Sequence, residues 1–119
     1  MVSFNGQTLA YLGDAVYELL VRDYLLNHGH TQVNTLHDAA VKYTSAEGQF
    51  EALSKIKPHL TNDESIIVKR GRNGKLTRKA RNQSLKTYQE ATGLEALFGH
   101  LYLEDNTERI RELFDYITV

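Results

Sequence analysis

The sequence predicts an all-α domain built as a helical bundle. Two observations support this fold class: the chain of 119 residues has a single proline, Pro58, and its apolar residues recur at steps of three and four, the spacing of amphipathic helices. A chain of this length has room for one domain, spanning residues 1–119, with a core large enough to fold without disulfides or metals.

The first predicted helix begins at Asn5 or Gly6 and ends in the run 27–29, Asn-His-Gly. A second helical stretch runs from about Asn34, a candidate N-cap, to Ile56, with an interruption near residues 44–45, because Ser45 can cap a fresh start. Pro58 ends this stretch. The apolar stripe of the first helix is predicted to comprise Leu9, Leu12, Ala15, Val16, Leu19, Leu20, Tyr24 and Leu26.

The second half of the chain is predicted to form three further helices and one loop. Thr61 and Glu64 have the spacing of a capping box, which predicts a short helix over about 62–70. Residues 71–75, Gly-Arg-Asn-Gly-Lys, are predicted to form a loop. Helical spacing resumes over about 84–103, and a last helix is expected over about 107–117, with Thr107 as its cap.

The composition excludes several classes of protein. The chain has no cysteine, so disulfides, thiolate zinc sites and cysteine nucleophiles are excluded. No apolar run approaches the roughly 18 residues of a membrane span. The first six residues lack the charged start and apolar stretch of a secretory signal. We therefore expect a cytoplasmic protein with no membrane partner.

The charge of the chain is unevenly distributed. The formal net charge is −1, yet residues 65–89 contain eight Lys or Arg and no acid. The remaining six basic residues stand against all 15 acids, a net of −9. Within the basic segment, residues 69–81 carry seven Lys or Arg. A run without compensating acids favours a polyanionic partner, such as nucleic acid, over a merely solvated loop.

Two lone carboxylates stand in apolar, glycine-containing helical stretches. Asp14 directly follows Gly13 in the first predicted helix. Glu95 lies two residues after Gly93 in the helix predicted over about 84–103. Carboxylates are the ligands that Mg²⁺ takes together with waters and phosphate oxygens. From the pattern alone, a solvated acidic edge remains the favoured interpretation of Asp14. For Glu95, a helix–helix crossing with the carboxylate at its rim remains an alternative interpretation to a metal site.

Residues 9–18 and 92–103 together resemble the two signature segments of the ribonuclease III catalytic domain. The first contains Leu-Gly-Asp-Ala-Val at 12–16, and the second contains Glu-Ala-Leu at 95–97, then Gly99 and Tyr-Leu at 102–103. The chain is most similar to the short bacterial branch called Mini-ribonuclease III. That similarity rests on residues 10–18, on the basic run 69–75, and on the lack of a double-stranded-RNA-binding domain before the chain ends at Val119.

The resemblance implies an all-helical homodimer that cuts double-stranded RNA with Mg²⁺, leaving a 5′-phosphate and a 3′-hydroxyl. The expected substrate is precursor large-subunit (23S) ribosomal RNA, with ribosomal proteins or the pre-ribosome as candidate partners. Asp14 and Glu95 match the catalytic, metal-binding carboxylates of the family, and Glu18 is assigned a supporting role. The residues expected to contact RNA are Lys69, Arg70, Arg72, Asn73, Lys75, Arg78 and Lys79. Asn73 could contact a base edge or shape the turn, and the second role is favoured.

Three positions depart from the pattern of the longer enzymes in the family. Acidic residues expected in the first helix are replaced by Gln7 and Ala10, and one expected before Glu95 is replaced by Thr92. These differences leave open whether one or two Mg²⁺ ions bind. They also motivate an alternative function, a non-catalytic module that keeps the ribonuclease III fold and binds structured RNA.

Overall fold

A computed structural model describes residues 4–74 and 84–119. Within these residues the chain is helical and contains no β-strand, as the sequence predicts. A 3₁₀ turn over Lys57–His59 contains Pro58 and joins the third helix to the fourth. The α-helices are α1 (Gly6–Asn27), α2 (Val33–Thr44), α3 (Ala46–Ile56), α4 (Asn62–Arg72), α5 (Leu85–Leu103) and α6 (Thr107–Ile117).

Helix α5 lies at the centre of the bundle, where α1, α3 and α4 pack around it. The crossing with α1 is a backbone contact, because a Cβ on Gly13 would lie 1.6 Å from the carbonyl oxygen of Glu95. The reciprocal contact is equally close, since a Cβ on Gly99 would lie 2.0 Å from the carbonyl oxygen of Leu9. Glycine is therefore required at both positions for these helices to approach so closely.

The predicted apolar stripe of α1 is only partly correct. Leu9 is buried as expected. Val16, Leu20 and Tyr24 are partly buried against the core, also as expected. Ala15, Leu19 and Leu26, in contrast, are exposed. The contact with α5 selects the face that carries the small residues, because only that face allows the two backbones to meet. The buried face comprises Gly6, Leu9, Ala10, Gly13, Tyr17, Val21 and Leu25.

The main core lies between α1, α3, α5 and α6 and is centred on aromatic rings. The ring of Tyr17 packs against those of Phe98 and Phe114, with centroid distances of 5.7 and 6.1 Å. Each such aromatic pair stabilises the fold by about 0.5–1.5 kcal/mol beyond the contribution from burying its rings. The core also contains Leu53, Ile56, Leu94, Leu97, Leu113 and Ile117.

The start of α2 differs from the prediction. Gln32, not Asn34, is the N-cap, and it makes no side-chain capping bond. The side chain of Asn34 instead accepts a hydrogen bond from the amide of its neighbour Thr35. The predicted interruption at the end of α2 is confirmed, since Ser45 caps α3 through a bond from the amide of Gly48 to its hydroxyl at 3.1 Å.

The predicted capping box at the start of α4 is confirmed, with both reciprocal bonds between Thr61 and Glu64 present. The buried Glu64 carboxylate also accepts two bonds from Arg109 of α6, at 2.7 and 2.8 Å. These two hydrogen bonds connect α4 to α6. The predicted cap of α6 is one residue late, because the side chain of Asn106 accepts the bond from the amide of Arg109.

The end of α4 also differs from the prediction. Gly71 and Arg72, assigned to a loop by the sequence, form the last turn of the helix. Asn73 and Gly74 then form a turn, in which the amide of Asn73 bonds to the carbonyl of Lys69 at 3.0 Å. Helix α5 begins close to its predicted start, and Ser84 is its N-cap. No helix in the described ranges is long and apolar enough to span a membrane.

Candidate active site

Asp14 of α1 and Glu95 of α5 lie side by side where the two helices cross. The Gly13 backbone contacts the carbonyl of Glu95. Asp14, the next residue, therefore lies beside the Glu95 side chain. The two carboxyl groups are close enough to share a hydrogen bond, which requires a proton on one of them. Asp14 is exposed, whereas Glu95 is half-buried. The pair thus has one side open to solvent.

The surroundings of Glu95 disfavour its charged form. Burial is the largest cause, and the nearby charge of Asp14 adds to it; together they raise the pKa of Glu95 to about 8. A hydrogen bond from Gln49 acts in the opposite direction. A bound cation would offset both unfavourable effects, because it attracts the two carboxylates that otherwise repel each other. The site therefore has the chemical character of a cation site.

Gln49 of α3 completes the site and was missed in the sequence. Its side chain is buried, with 4% of its surface exposed. Its amide nitrogen donates to Oε2 of Glu95 at 3.4 Å and to the carbonyl of Thr44 at 3.3 Å. The only sequence signal is its place on the apolar stripe of α3, one turn before Ala52 and Leu53. A glutamine at such a position must find a partner inside the protein.

Two of the three positions that depart from the longer enzymes, Ala10 and Thr92, have identifiable surroundings. Ala10 is buried in a small apolar cluster with Leu9, Ile67 and Ala96. The hydroxyl of Thr92 donates to the carbonyl of Tyr88 within α5. Accordingly, residues 4–74 and 84–119 contain no group of three or more His, Asp or Glu placed to hold a metal. Asp14 and Glu95 are the carboxylates available to an ion at this site.

Glu18 forms an ion pair with Arg22. It follows Asp14 by one helical turn, and its Oε2 atom is 3.5 Å from Nε of Arg22, an exposed pairing along α1. Both side chains line a groove of about 410 Å³ between α1 and α2, with Leu26, Val33 and His37. The structure therefore places Glu18 in this groove, paired with Arg22.

The basic residues at the end of α4 divide into two kinds. Lys69 and Arg70 are exposed on the last turns of the helix. Arg72 instead has its Nε atom 3.1 Å from the buried carboxylate of Glu90, whose other oxygen lies 3.2 Å from Nζ of Lys57. Arg72 therefore holds α4 against α5, a role the sequence did not suggest. Lys75, Arg78 and Lys79 lie outside the described residues.

The basic end of α4 is fixed close to the carboxylate pair. A Cβ on Gly71 would lie 2.9 Å from the carbonyl of Thr92, and one on Gly6 would lie 2.3 Å from the carbonyl of Arg70. The end of α4 is thus wedged between α1 and α5. Thr92 precedes Glu95 by one turn of α5, so the backbone at the end of α4 meets α5 within about one helical turn of Glu95.

Comparison with known proteins gives consistent matches over nearly the whole chain. The family described as the Ribonuclease III domain matches residues 7–106. Mini-ribonuclease 3 of Enterococcus faecalis is 43% identical over 114 residues, covering 94% of this chain and 86% of that protein. Mini-ribonuclease 3 of Desulfitobacterium hafniense is 46% identical over 113 residues, covering 95% and 71%. A crystal structure of a protein from Fusobacterium nucleatum superposes with a TM-score of 0.86 at 32% identity, covering 98% and 93%.

Proposed function

The chain belongs to the ribonuclease III family and is an endoribonuclease, and from that premise we propose that it hydrolyses double-stranded RNA with Mg²⁺ at Asp14 and Glu95. The observation that carries this assignment is the pairing of these two carboxylates beside the basic end of α4. Water adds to a backbone phosphorus as the bond to the 3′ oxygen breaks, which gives a 5′-phosphate and a 3′-hydroxyl.

The residues at the site fit a magnesium ion. Asp14 and Glu95 offer hard oxygen ligands, and Mg²⁺ commonly binds one or two carboxylates and fills its other positions with water and phosphate oxygens. A raised pKa such as that of Glu95 is typical of a carboxyl group placed to share a cation with a second carboxylate. When bound, the ion would activate water and neutralise charge on the phosphate. One ion is the simplest match to a pair of carboxylates.

The protein side chains have separate tasks in this reaction. The exposed Asp14 faces the side from which an RNA phosphate can approach, whereas the half-buried Glu95 is held within the bundle. The α1–α5 backbone contact fixes the spacing of the two groups before substrate arrives. Such fixed placement lowers the entropic cost of reaching the reactive geometry.

The basic segment is proposed to bind the RNA backbone. A-form RNA is recognised mainly through its phosphates and 2′-hydroxyls, which exposed cations can follow without reading the sequence. Lys69 and Arg70 are exposed near the site and suit this role. Asn73 is proposed to shape the turn that follows α4. Lys75, Arg78 and Lys79 are proposed to contact the RNA phosphates as well.

An exposed apolar face supports the proposal of a homodimer. On α1, Tyr11 and Leu19 are 84% and 69% exposed, and Val33 at the start of α2 is 81% exposed. Leu26, Val33 and Val41 line the groove between the two helices. Exposed apolar surface on this scale is typical of an interaction surface. A second copy covering it would bring two carboxylate pairs to one duplex.

The proposed cellular substrate is precursor 23S ribosomal RNA in the cytoplasm, with ribosomal proteins or the pre-ribosome as candidate partners. This part of the proposal is supported by the resemblance to Mini-ribonuclease III described above. A comparison of precursor 23S ends in cells with and without the protein would test it. Accumulation of extended ends supports this substrate, and unchanged ends would contradict it.

The catalytic proposal is tested by incubating the protein with a long RNA duplex and Mg²⁺. The Asp14→Asn and Glu95→Gln variants are expected to lose cleavage while keeping the fold and RNA binding. Asp115→Asn and Glu108→Gln, at exposed positions of α6, are the matched controls and should cleave like the wild type. Cleavage that persists in both site variants would contradict the assignment. Binding without cleavage by the wild type would favour the non-catalytic alternative.

A further inference from the structure

Gln49 lies at a position where an apolar side chain would be expected. It occupies the buried stripe of α3 with Ala52, Leu53 and Ile56, yet it carries an amide. Burying an amide costs free energy unless its hydrogen-bonding groups are satisfied. An apolar residue of similar size would serve the core without that cost. The amide must therefore be explained by what it contacts.

The orientation of the Gln49 amide is fixed by its neighbours. The carbonyl oxygen of Thr44 can only accept a hydrogen bond, so the nitrogen end of the amide must face it, at 3.3 Å. Turning the amide over would place two acceptors against each other. The same nitrogen has a second hydrogen, which points to Oε2 of Glu95 at 3.4 Å. The Thr44 carbonyl at the end of α2 thus determines that Glu95 faces the nitrogen of the Gln49 amide and not its oxygen.

The contact links three helices to one catalytic carboxylate. Gln49 is anchored in α3, its amide is held by the carbonyl of Thr44 in α2, and it reaches Glu95 in α5, 46 residues away in sequence. It engages one carboxylate oxygen, Oε2. The bond with Gln49 leaves the other oxygen, Oε1, available to a cation. Hydrogen bonds of this kind orient metal-binding side chains in proteins.

We propose that Gln49 is a positioning residue that holds the Glu95 carboxylate through Oε2 and directs its second oxygen, with Asp14, toward the divalent cation. The proposal deepens the proposed function and rests on it for the identity of the cation as Mg²⁺. Gln49 would not touch substrate. Its effect would be to orient Glu95 before the ion arrives.

The test measures cation binding directly, without RNA and without catalysis. Calorimetric titration with Mn²⁺, used as a probe for Mg²⁺, compares the wild type with Gln49→Met, which keeps the length of the side chain but removes the donor. We expect the affinity to fall about 10- to 100-fold. Gln32→Met makes the same substitution at an exposed glutamine that caps nothing with its side chain, and it should bind like the wild type. The Mg²⁺ concentration that half-saturates duplex cleavage should rise in parallel.

A second variant covers the case in which Gln49→Met does not fold. Gln49→Asn keeps an amide in the core but is one methylene shorter, so it cannot span the 3.4 Å contact with Glu95. Weaker Mn²⁺ binding with duplex binding retained supports the proposal in either variant. Wild-type Mn²⁺ affinity in a folded Gln49 variant would overturn it.

The two proposals fail in different ways. If the wild type cleaves duplex and Glu95→Gln does not, yet folded Gln49 variants bind Mn²⁺ normally, the role of Gln49 is overturned and the catalytic assignment stands. If the wild type binds Mn²⁺ and Gln49→Met weakens it, but no duplex is cut, the role of Gln49 stands and the catalytic assignment falls. A wild type that binds no Mn²⁺ overturns both.

Discussion

Gly13 and Gly99 meet backbone to backbone where α1 crosses α5. A Cβ on Gly13 would lie 2.8 Å from the amide nitrogen of Gly99, and one on Gly99 would lie 3.0 Å from that of Gly13. Asp14 follows the first glycine, and Glu95 precedes the second by one helical turn. The closeness of the two backbones therefore sets the spacing of the two carboxylates, so packing and chemistry depend on the same contact.

The first prediction concerns this crossing. Gly13→Ala places a methyl group 1.6 Å from the carbonyl oxygen of Glu95, and forcing the helices apart should cost about 3 kcal/mol of unfolding free energy or more. Cleavage should fall as well, because Asp14 moves away from Glu95. Denaturant unfolding and duplex cleavage would measure the two effects.

Gly29→Ala is the matched control for that substitution. Gly29 has φ +91, but a methyl group added there would have no neighbouring atom within 4 Å, so the same change should cost only about 1–2 kcal/mol, from backbone strain. Cleavage should be unaffected. If Gly13→Ala were as stable and active as the wild type, the close crossing would not be essential.

The second prediction concerns pH and the metal-free protein. The pKa of Glu95 is raised from 4.5 to about 8, so between these values the folded protein holds a proton that the unfolded chain releases. Stability should therefore fall as pH rises through this window. Glu95→Gln cannot ionise and should lack this contribution. Thermal unfolding in chelator across the window compares the two proteins, and identical profiles would contradict the prediction.

The third prediction concerns the Glu64–Arg109 pair. The hydrogen bond to Arg109 is the largest cause of the lowered pKa of Glu64, so its contribution to stability is present above about pH 4.5 and is lost as pH falls through the lowered value. Arg109→Met leaves a buried carboxylate unpaired and should cost about 3 kcal/mol at neutral pH. Urea unfolding at neutral and acidic pH measures both effects. A loss that does not shrink on acidification would contradict this explanation.

Much of this fold could be predicted from the sequence because its signals are local. The capping box at Thr61 and the cap at Ser45 join residues three apart, and the structure confirms both. The roles of Gln49 and Arg72 could not be predicted, since each depends on a partner in α5 that only the tertiary fold supplies. Likewise, the buried face of α1 is selected by contact with Gly99 rather than by hydrophobicity alone.

The fourth prediction concerns the exposed apolar face. If a second copy covers it, Leu19→Glu and Val33→Glu should convert a dimer to a monomer, because each places a charge in an interface that must exclude water. Ile66→Glu, at an exposed apolar position of α4, is the control and should remain dimeric. Sedimentation velocity at several concentrations would measure the outcome. A dimer that survives both face substitutions would locate the interface elsewhere.

The last prediction separates the two kinds of basic residue at the end of α4. Lys69→Ala and Arg70→Ala should each weaken duplex binding, lower the slope of log affinity against log salt by about 1, and leave stability within about 0.5 kcal/mol. Arg72→Ala should instead destabilise the protein, because the buried Glu90 would lose one of the two cations that pair with it among residues 4–74 and 84–119. Arg111→Ala, at an exposed position of α6, serves as the control for RNA binding.

Fluorescence anisotropy over a series of salt concentrations measures the slopes, and thermal unfolding measures the stabilities. The double variant Arg72→Met with Glu90→Met removes both charges and should recover part of the stability lost in Arg72→Ala, since no buried carboxylate is left with a missing partner. A wild-type melting temperature for Arg72→Ala, combined with a reduced salt slope, would show that Arg72 binds RNA instead of holding α4 against α5.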